Sequence, residues 1–568
     1  MKSRYFWTNS LVKVFPDQCP EEWEGIPKLT VFQGEVPAIQ LVYYRTGEAV
    51  GCRRPAIEIT FSGDRIPVRC RCVELVPSTF PAYDQADENY LTREPGLFPD
   101  LLVDLPKSGL PFPINQYRSL WIDIPNTEKI EPGTYSVSCS IKMAGVSPDS
   151  TVPKETREAL GGELSFTLEV LPVKLPEQSL LHTEWFHADC LADYYRVPVF
   201  SEFHWDAIER QIALAAEELR VNVILTPVFT PPLDTAVGGE RTTVQLVDVT
   251  LHNGTYSFGW EKLKRWCRIC KKHGIRKLEI AHLFTQWGAL YTPKIMVQED
   301  SGIVRKFGWH VRADSPDYRR FLEAFLPALR RELAAEGYSD SDVLYHISDE
   351  PNDTHEEGYR WARDVVADLL EGCTILDALS DYSFYQKGLV RHPVPSNDHI
   401  QPFLDHHVPD LWVYYCCAQY KNVPNRFFAM PSARNRIMGV LCYLYGIKGF
   451  LHWGYNFYNS ALSLRHIDPF LCTHGGCAFP SGDPFLVYPG PDGKPYSSIR
   501  AEVQRQGIDD IRALELLEQI AGRDKVLELI YEGQQKPFTF ENYPQEDGYL
   551  LSLSERVHKA INSYLAHS

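Results

Sequence analysis

The apolar residues keep two different rhythms, and the change falls near residue 175. Before it, short runs alternate in period two and are broken by Pro and Gly: IQLVYYRTG, RPAIEITFSG, RCRCVELVPS, SLWIDIPN, GTYSVSCSIKMAG and GELSFTLEVLPV. Successive strand side chains face opposite ways, so these runs, with no long helix between them, predict an antiparallel β-sandwich over residues 1–175. The prolines of LPVKLPEQ deny helix and mark a linker.

After residue 180 the rhythm becomes strand, loop, helix. Eight candidate strands follow: LLHTEWFH, NVILTPVF, RKLEIAHLF, VLYHISDE, TILDALSD, LWVYYCCA, GFLHWGYN and PFLVYPG. Amphipathic stretches such as WEKLKRWCRICKKHG and DYRRFLEAFLPALRRELAAEG lie between them and close on Gly, the residue a left-handed cap prefers. Apolar strands alternating with helices imply a parallel sheet, and eight repeats predict a (β/α)8 barrel over residues 180–510. A helical segment, residues 511–568, is expected to pack on it. An open doubly wound sheet is the alternative, but no Gly-rich dinucleotide fingerprint follows any strand.

In the barrel reading VLYHISDE is the fourth strand and its acids stand at the C-terminal end, where barrel enzymes build their sites. Asp349 and Glu350 are adjacent, with Pro351 forcing the chain out of the ladder behind them. Ordinary retaining glycosidases use two carboxyls on different strands. Neighbouring acids suit a substrate that carries its own nucleophile. A 2-acetamido sugar can fold its amide oxygen onto the anomeric carbon, while one carboxylate holds the amide N–H and one carboxylic acid protonates the leaving oxygen. A negative Asp349 would keep Glu350 protonated. The alternative is an acidic N-cap for a helix starting near His355. Other strand ends offer sugar contacts: Trp185 and His187 on the first, Trp287 after the third, Tyr414 and Tyr415 on the sixth, and His452, Trp453 and Asn456 on the seventh. Such aromatics suit sugar faces, though core packing competes for each.

The motifs HISDEP, LWVYYC, NRIMGVLCYLYGIKGFLHWGYN and FLVYPGPDGKPYSSIRAEVQRQGIDD together resemble glycoside hydrolase family 123 over nearly the whole chain. The resemblance implies a retaining, exo-acting β-N-acetylgalactosaminidase working by substrate assistance. It implies Asp349 as the residue orienting the acetamide and Glu350 as general acid/base. Tyr414 or Tyr415 would bind the acetamide, and Trp453 would be the ring platform.

Other chemistries have less support. A net charge of −17 argues against a nucleic-acid partner. No apolar run is long enough to span a membrane, and the N-terminus lacks a secretory pattern, so a cytoplasmic protein with reduced thiols is expected. His346, His399, His406, His407 and His452 show no metal-ligand spacing, and Cys267 and Cys270 sit on a helix, so neither metal nor cofactor is expected. Asn253-Gly254 reads as a hairpin turn. The expected partner is an oligosaccharide or glycoconjugate substrate; the pattern is silent on oligomeric state. An inactive barrel that binds carbohydrate, or a glycosidase acting on sugars without the acetamide, are the competing functions.

Overall fold

The computed structural model describes residues 2–47, 56–62, 66–145 and 154–566. The N-terminal part is a sandwich of two five-stranded sheets. One orders Lys2–Asn9, Ala38–Thr46, Arg118–Asp123, Arg69–Ser78 and Gly96–Asp104; the other orders Lys28–Gln33, Gly162–Lys174, Gly133–Met143, Ala56–Ser62 and Leu110–Pro111. Their facing residues, among them Leu41, Leu120, Ile122, Val137, Phe166 and Leu168, form one buried cluster. The pairing is antiparallel except where Lys28–Gln33 runs parallel to Gly162–Lys174. That last strand extends into LPVK, so the connection is shorter than the prolines suggested.

The second part is a parallel barrel. Its strands are Leu181–Glu184, Val223–Thr226, Lys277–Ile280, Val343–Tyr345, Thr374–Ala378, His392–Val394, Trp412–Tyr414 and Gly449–His452. The sixth and seventh close the ring through the residues just past the sixth: Tyr414 N–H donates to Pro395 O at 3.0 Å and Asn397 N–H donates to Tyr414 O at 2.9 Å. The number eight holds but the membership differs from the sequence reading. His392–Val394 is a strand despite Pro393, and the LWVYYCCA and GFLHWGYN segments are therefore the seventh and eighth. PFLVYPG is outside the barrel: only Tyr488–Pro489 is extended, pairing antiparallel with Pro495–Tyr496. Its Leu486 and Val487 are buried against the barrel's outer core, which gives a loop the apolar texture of a strand.

Between the second and fourth strands the loops grow a four-stranded sheet. One of its hairpins turns at Asn253 and Gly254, both with positive φ, as the NG pair predicts. The helices Ser432–Tyr445 and Ile499–Ala521 back the seventh and eighth strands. They touch at Gly439 and Gly507, where a Cβ on Gly439 would lie 1.9 Å from Gly507 O. Only glycine permits that approach. The helix Ile499–Ala521 runs through residue 510, so the barrel and the C-terminal helices are one continuous packing unit. It also anchors the sandwich: Asp100 pairs with Arg500 at 2.8 Å and Arg71 with Glu502 at 2.9 Å, all four buried.

Candidate active site

Alternation along the strands decides which residues enter the barrel. Trp185, Leu225, Leu344, Leu376, Ala378, Trp412, Tyr414 and Leu451 point inward and pack together, with Trp453 against them. Their neighbours His182, Glu184, Tyr415, Phe450 and His452 point outward to the backing helices. Glu184 is gripped by Arg426 at 2.6 and 2.9 Å and by Gln504 at 2.6 Å. Burial alone would raise its pKa, but Arg426 overrides it and holds the carboxyl low.

The acid pair stands at the C-terminal mouth. Past Tyr345 the chain is laced to both neighbours: Ile347 N–H donates to the Asp377 carboxylate at 3.0 Å, and Ser348 Oγ–H to Thr285 O at 2.8 Å. Trp287 N–H then donates to Asp349 O at 3.2 Å, and Glu350 N–H to Ala378 O at 3.1 Å. Glu350 has φ 43°, a left-handed conformation that costs a non-glycine residue about 1–2 kcal/mol. It breaks strand alternation between the two acids. The helix that follows is capped by Asn352, whose Oδ1 accepts from Thr354 N at 3.1 Å, so the acid pair is not its N-cap.

Of the two tyrosines, Tyr414 faces the acid pair. Its hydroxyl donates to Glu350 Oε1 at 2.6 Å. Tyr415 lies on the other side of the wall, packed on Phe450 and His452 with ring centroids 5.1 and 5.3 Å away. His452 is likewise outside the cavity, accepting at Nδ1 from Arg426 at 2.8 Å. Trp453 is half-buried, donates Nε1–H to Asp483 at 3.0 Å, and meets the edges of Phe457 and Phe479. His187 and Asn456 are buried and knit the first and eighth loops: Asn456 Oδ1 accepts from His187 N at 2.8 Å, and His187 Nε2 reaches Trp453 O at 2.9 Å. Burial and Arg241 push the His187 pKa down to about 3, so it is a neutral support. Trp185 is a buried inner-wall residue bonded to Glu279 at 3.1 Å, and Trp287 is 42 % exposed at the rim.

The electrostatics of the pair depart from expectation. Burial and then Glu350 push Asp349 well above the usual carboxylate range. Burial also raises Glu350, while the Tyr414 hydrogen bond pulls it back. Both shifts favour a proton kept on the pair, and the Tyr414 hydrogen bond to Glu350 favours Asp349 as its carrier. Besides Asp377 on the fifth strand, three further carboxylates, all on loops, bear on the pair and were not singled out in the sequence: Asp234, Asp398 and Asp483. Asp234 has φ 40°, accepts from Leu462 N at 2.9 Å, and is raised to about 6 by burial. Nothing in their local sequence marks them, because the three come from three different loops.

His282, His346 and Asp377 each bring one ligand-type atom within 4.8 Å of the others. The two imidazoles stack at 4.3 Å and 18°, so their in-plane lone pairs run side by side and do not converge on one ion. A separate cleft of about 470 Å³ lies between the sandwich and the C-terminal helix; its His558–Glu35 and Arg436–Asp510 pairs satisfy one another.

A family model described as glycoside hydrolase 123, catalytic domain, matches residues 185–517. The chain belongs to glycoside hydrolase family 123. It is a glycosidase by that membership. A family 123 glycoside hydrolase from Clostridium perfringens, solved in work on the details of glycolipid glycan hydrolysis, has the same fold. It is 14% identical with TM-score 0.70, over 100% of this chain and 98% of that one. A β-D-glucuronidase from Dictyoglomus thermophilum is 11% identical with TM-score 0.32, covering 84% of this chain and 68% of its own, too loose a likeness to bear on the argument. Among curated proteins no significant match is found. The described residues of this family 123 member include no helix long and apolar enough to cross a membrane.

Proposed function

We propose that this family 123 glycosidase is a retaining, exo-acting β-N-acetylhexosaminidase, a β-N-acetylgalactosaminidase first of all, that uses the substrate's acetamide as nucleophile. The observation that carries the reading is the shared placement of Asp349, Glu350 and Tyr414 at one barrel mouth, with Tyr414 2.6 Å from the acid. Asp349 takes the amide N–H and steers the carbonyl oxygen onto the anomeric carbon. Glu350 protonates the leaving oxygen and later deprotonates the water that opens the oxazolinium-like ring. Trp453 supplies the ring platform.

Substrate binding itself arms the pair in this scheme. An amide N–H donated to Asp349 favours its ionised form, and a Tyr414 hydroxyl that turns to the acetamide oxygen leaves Glu350 without a donor. Both changes transfer the shared proton from Asp349 to Glu350, where it is needed. Glycolipid glycans, the subject of the Clostridium perfringens work, are the first natural substrates to test.

The test compares aryl β-GalNAc, β-GlcNAc, β-Gal and β-Glc for the parent and Glu350→Gln. Turnover confined to the 2-acetamido sugars, and lost in Glu350→Gln, is expected. Equal turnover of the 2-hydroxy sugars would sink the reading. Sugar binding with no turnover in the parent would point to a binding protein instead.

A further inference from the structure

Beneath the acid pair lies a buried constellation with no part in the scheme so far. His346 is three residues upstream of Asp349 and wholly buried. Its Nε2 is 2.8 Å from Glu279 Oε1 and its Nδ1 is 3.4 Å from Asp377 Oδ1. Both carboxylates are themselves saturated with donors. Glu279 accepts from Thr183 Oγ1–H at 2.5 Å and Trp185 Nε1–H at 3.1 Å. Asp377 accepts from Ile347 N–H and from the Tyr359 hydroxyl. His346 Nε2–H donates to Glu279, while Nδ1 makes no hydrogen bond and faces Asp377 as an ion-pair partner; burial raises the Asp377 carboxyl pKa and His346 pulls it back.

We propose that His346 is a positioning residue for the acid pair: an imidazolium fixed between Glu279 and Asp377 that sets the charge on Asp349 and hence its hold on the substrate's amide N–H. The proposal rests on the role given to Asp349 above. The titratable groups facing His346 are Glu279 and His282 from the third strand and its end, Asp377 from the fifth strand, and Asp349 beyond its own strand. His282 stacks on the ring and has no hydrogen-bond partner among the described residues on either nitrogen, so it is the neutral member of the stack. The edge of Trp185 closes another side at 5.9 Å. Burial would lower the His346 pKa, but the two carboxylates reverse this and lift it to about 9, so the charge persists through neutral pH. Of the charged groups acting on Asp349, Glu350, Asp377 and Asp234 favour its protonated form, and His346 opposes them. Without the imidazolium two interior carboxylates would stand uncompensated beneath the pair.

The experiment measures kcat and KM against pH on an aryl 2-acetamido glycoside for the parent, His346→Gln and Asp349→Asn. Loss of the imidazolium is expected to move the basic limb of kcat/KM, set by the last proton on Asp349, up by about one pH unit, with kcat falling more than KM. A folded His346→Gln with the parent's basic limb, beside a crippled Asp349→Asn, overturns the role of His346 alone. An Asp349→Asn as active as the parent overturns the role of Asp349, and the proposal with it. Should His346→Gln fail to fold, proton NMR of the parent and of the isosteric Glu279→Gln decides. A far-downfield imidazole N–H at about pH 8, above the ordinary histidine pKa, that disappears in Glu279→Gln supports the proposal. Its absence from the parent overturns it.

Discussion

Replacing Tyr414 with Phe removes one hydroxyl and no packing volume of consequence, and its effect on the acid pair can be worked through. The lost bond is a charge-assisted one of 2.6 Å to Glu350. Hydrogen bonds to charged groups contribute roughly 1.5–3 kcal/mol, which corresponds to about 1–2 pKa units. The bond stabilises only states with Glu350 ionised. The singly protonated pair already has Glu350 ionised and Asp349 protonated, so removal raises the pKa at which the pair surrenders its first proton, that of Glu350, and leaves the last, that of Asp349, nearly in place. The singly protonated pair is the form that enters kcat/KM, so the acid limb of the profile moves to higher pH by up to about 1–2 units. The plateau should fall as well if Tyr414 also holds the acetamide oxygen, but the position of the limb is independent of its height. The assay is kcat/KM for an aryl 2-acetamido glycoside across the acid and neutral range, with circular dichroism to confirm folding. An acid limb that stays in place, or moves to lower pH, refutes the claim that Tyr414 governs the ionisation of Glu350.

Two further outcomes follow from the buried charges. Asp349 has its folded pKa above its unfolded value, so its ionised form destabilises the fold; the loss is absent below the ordinary carboxylate range and complete above the raised pKa. Asp349→Asn should therefore be inactive yet melt higher than the parent at alkaline pH, with the gain shrinking as pH falls; an equal gain at acid and alkaline pH would contradict it. Arg426→Met leaves the buried Glu184 without its arginine and with Gln504 and His182 beside it, a loss of about 3–5 kcal/mol in denaturant unfolding. Glu184→Gln together with Arg426→Met should cost less than Arg426→Met alone, and a strictly additive pair would refute the coupling.

The fold was legible where its periodicities were. Period-two runs gave the sandwich and apolar strands between capped helices gave the barrel, because burial repeats in step with the backbone. The errors have one cause. His392–Val394 is too short and carries a proline, while PFLVYPG is buried by its position between elements rather than by pairing. In the site, the strand-end Asp349 and Glu350 were visible as a motif, and Trp453 as an aromatic at a strand end. Tyr414 and Tyr415 were not separable, since spacing shows that neighbours diverge but not which of them faces in. His452 seemed a pocket residue for the same reason. Asp234, Asp483 and the His346–Asp377–Glu279 contacts were out of reach because each joins different strands or loops.

Substrate assistance makes one requirement that no other glycosidase scheme shares: the acetamide oxygen itself must attack. Aryl glycosides with N-acetyl, N-fluoroacetyl, N-difluoroacetyl and N-trifluoroacetyl groups weaken that oxygen stepwise while the leaving group stays constant. The account predicts a steep, monotonic fall in kcat along the series for the parent enzyme. A flat series from an active enzyme would contradict it.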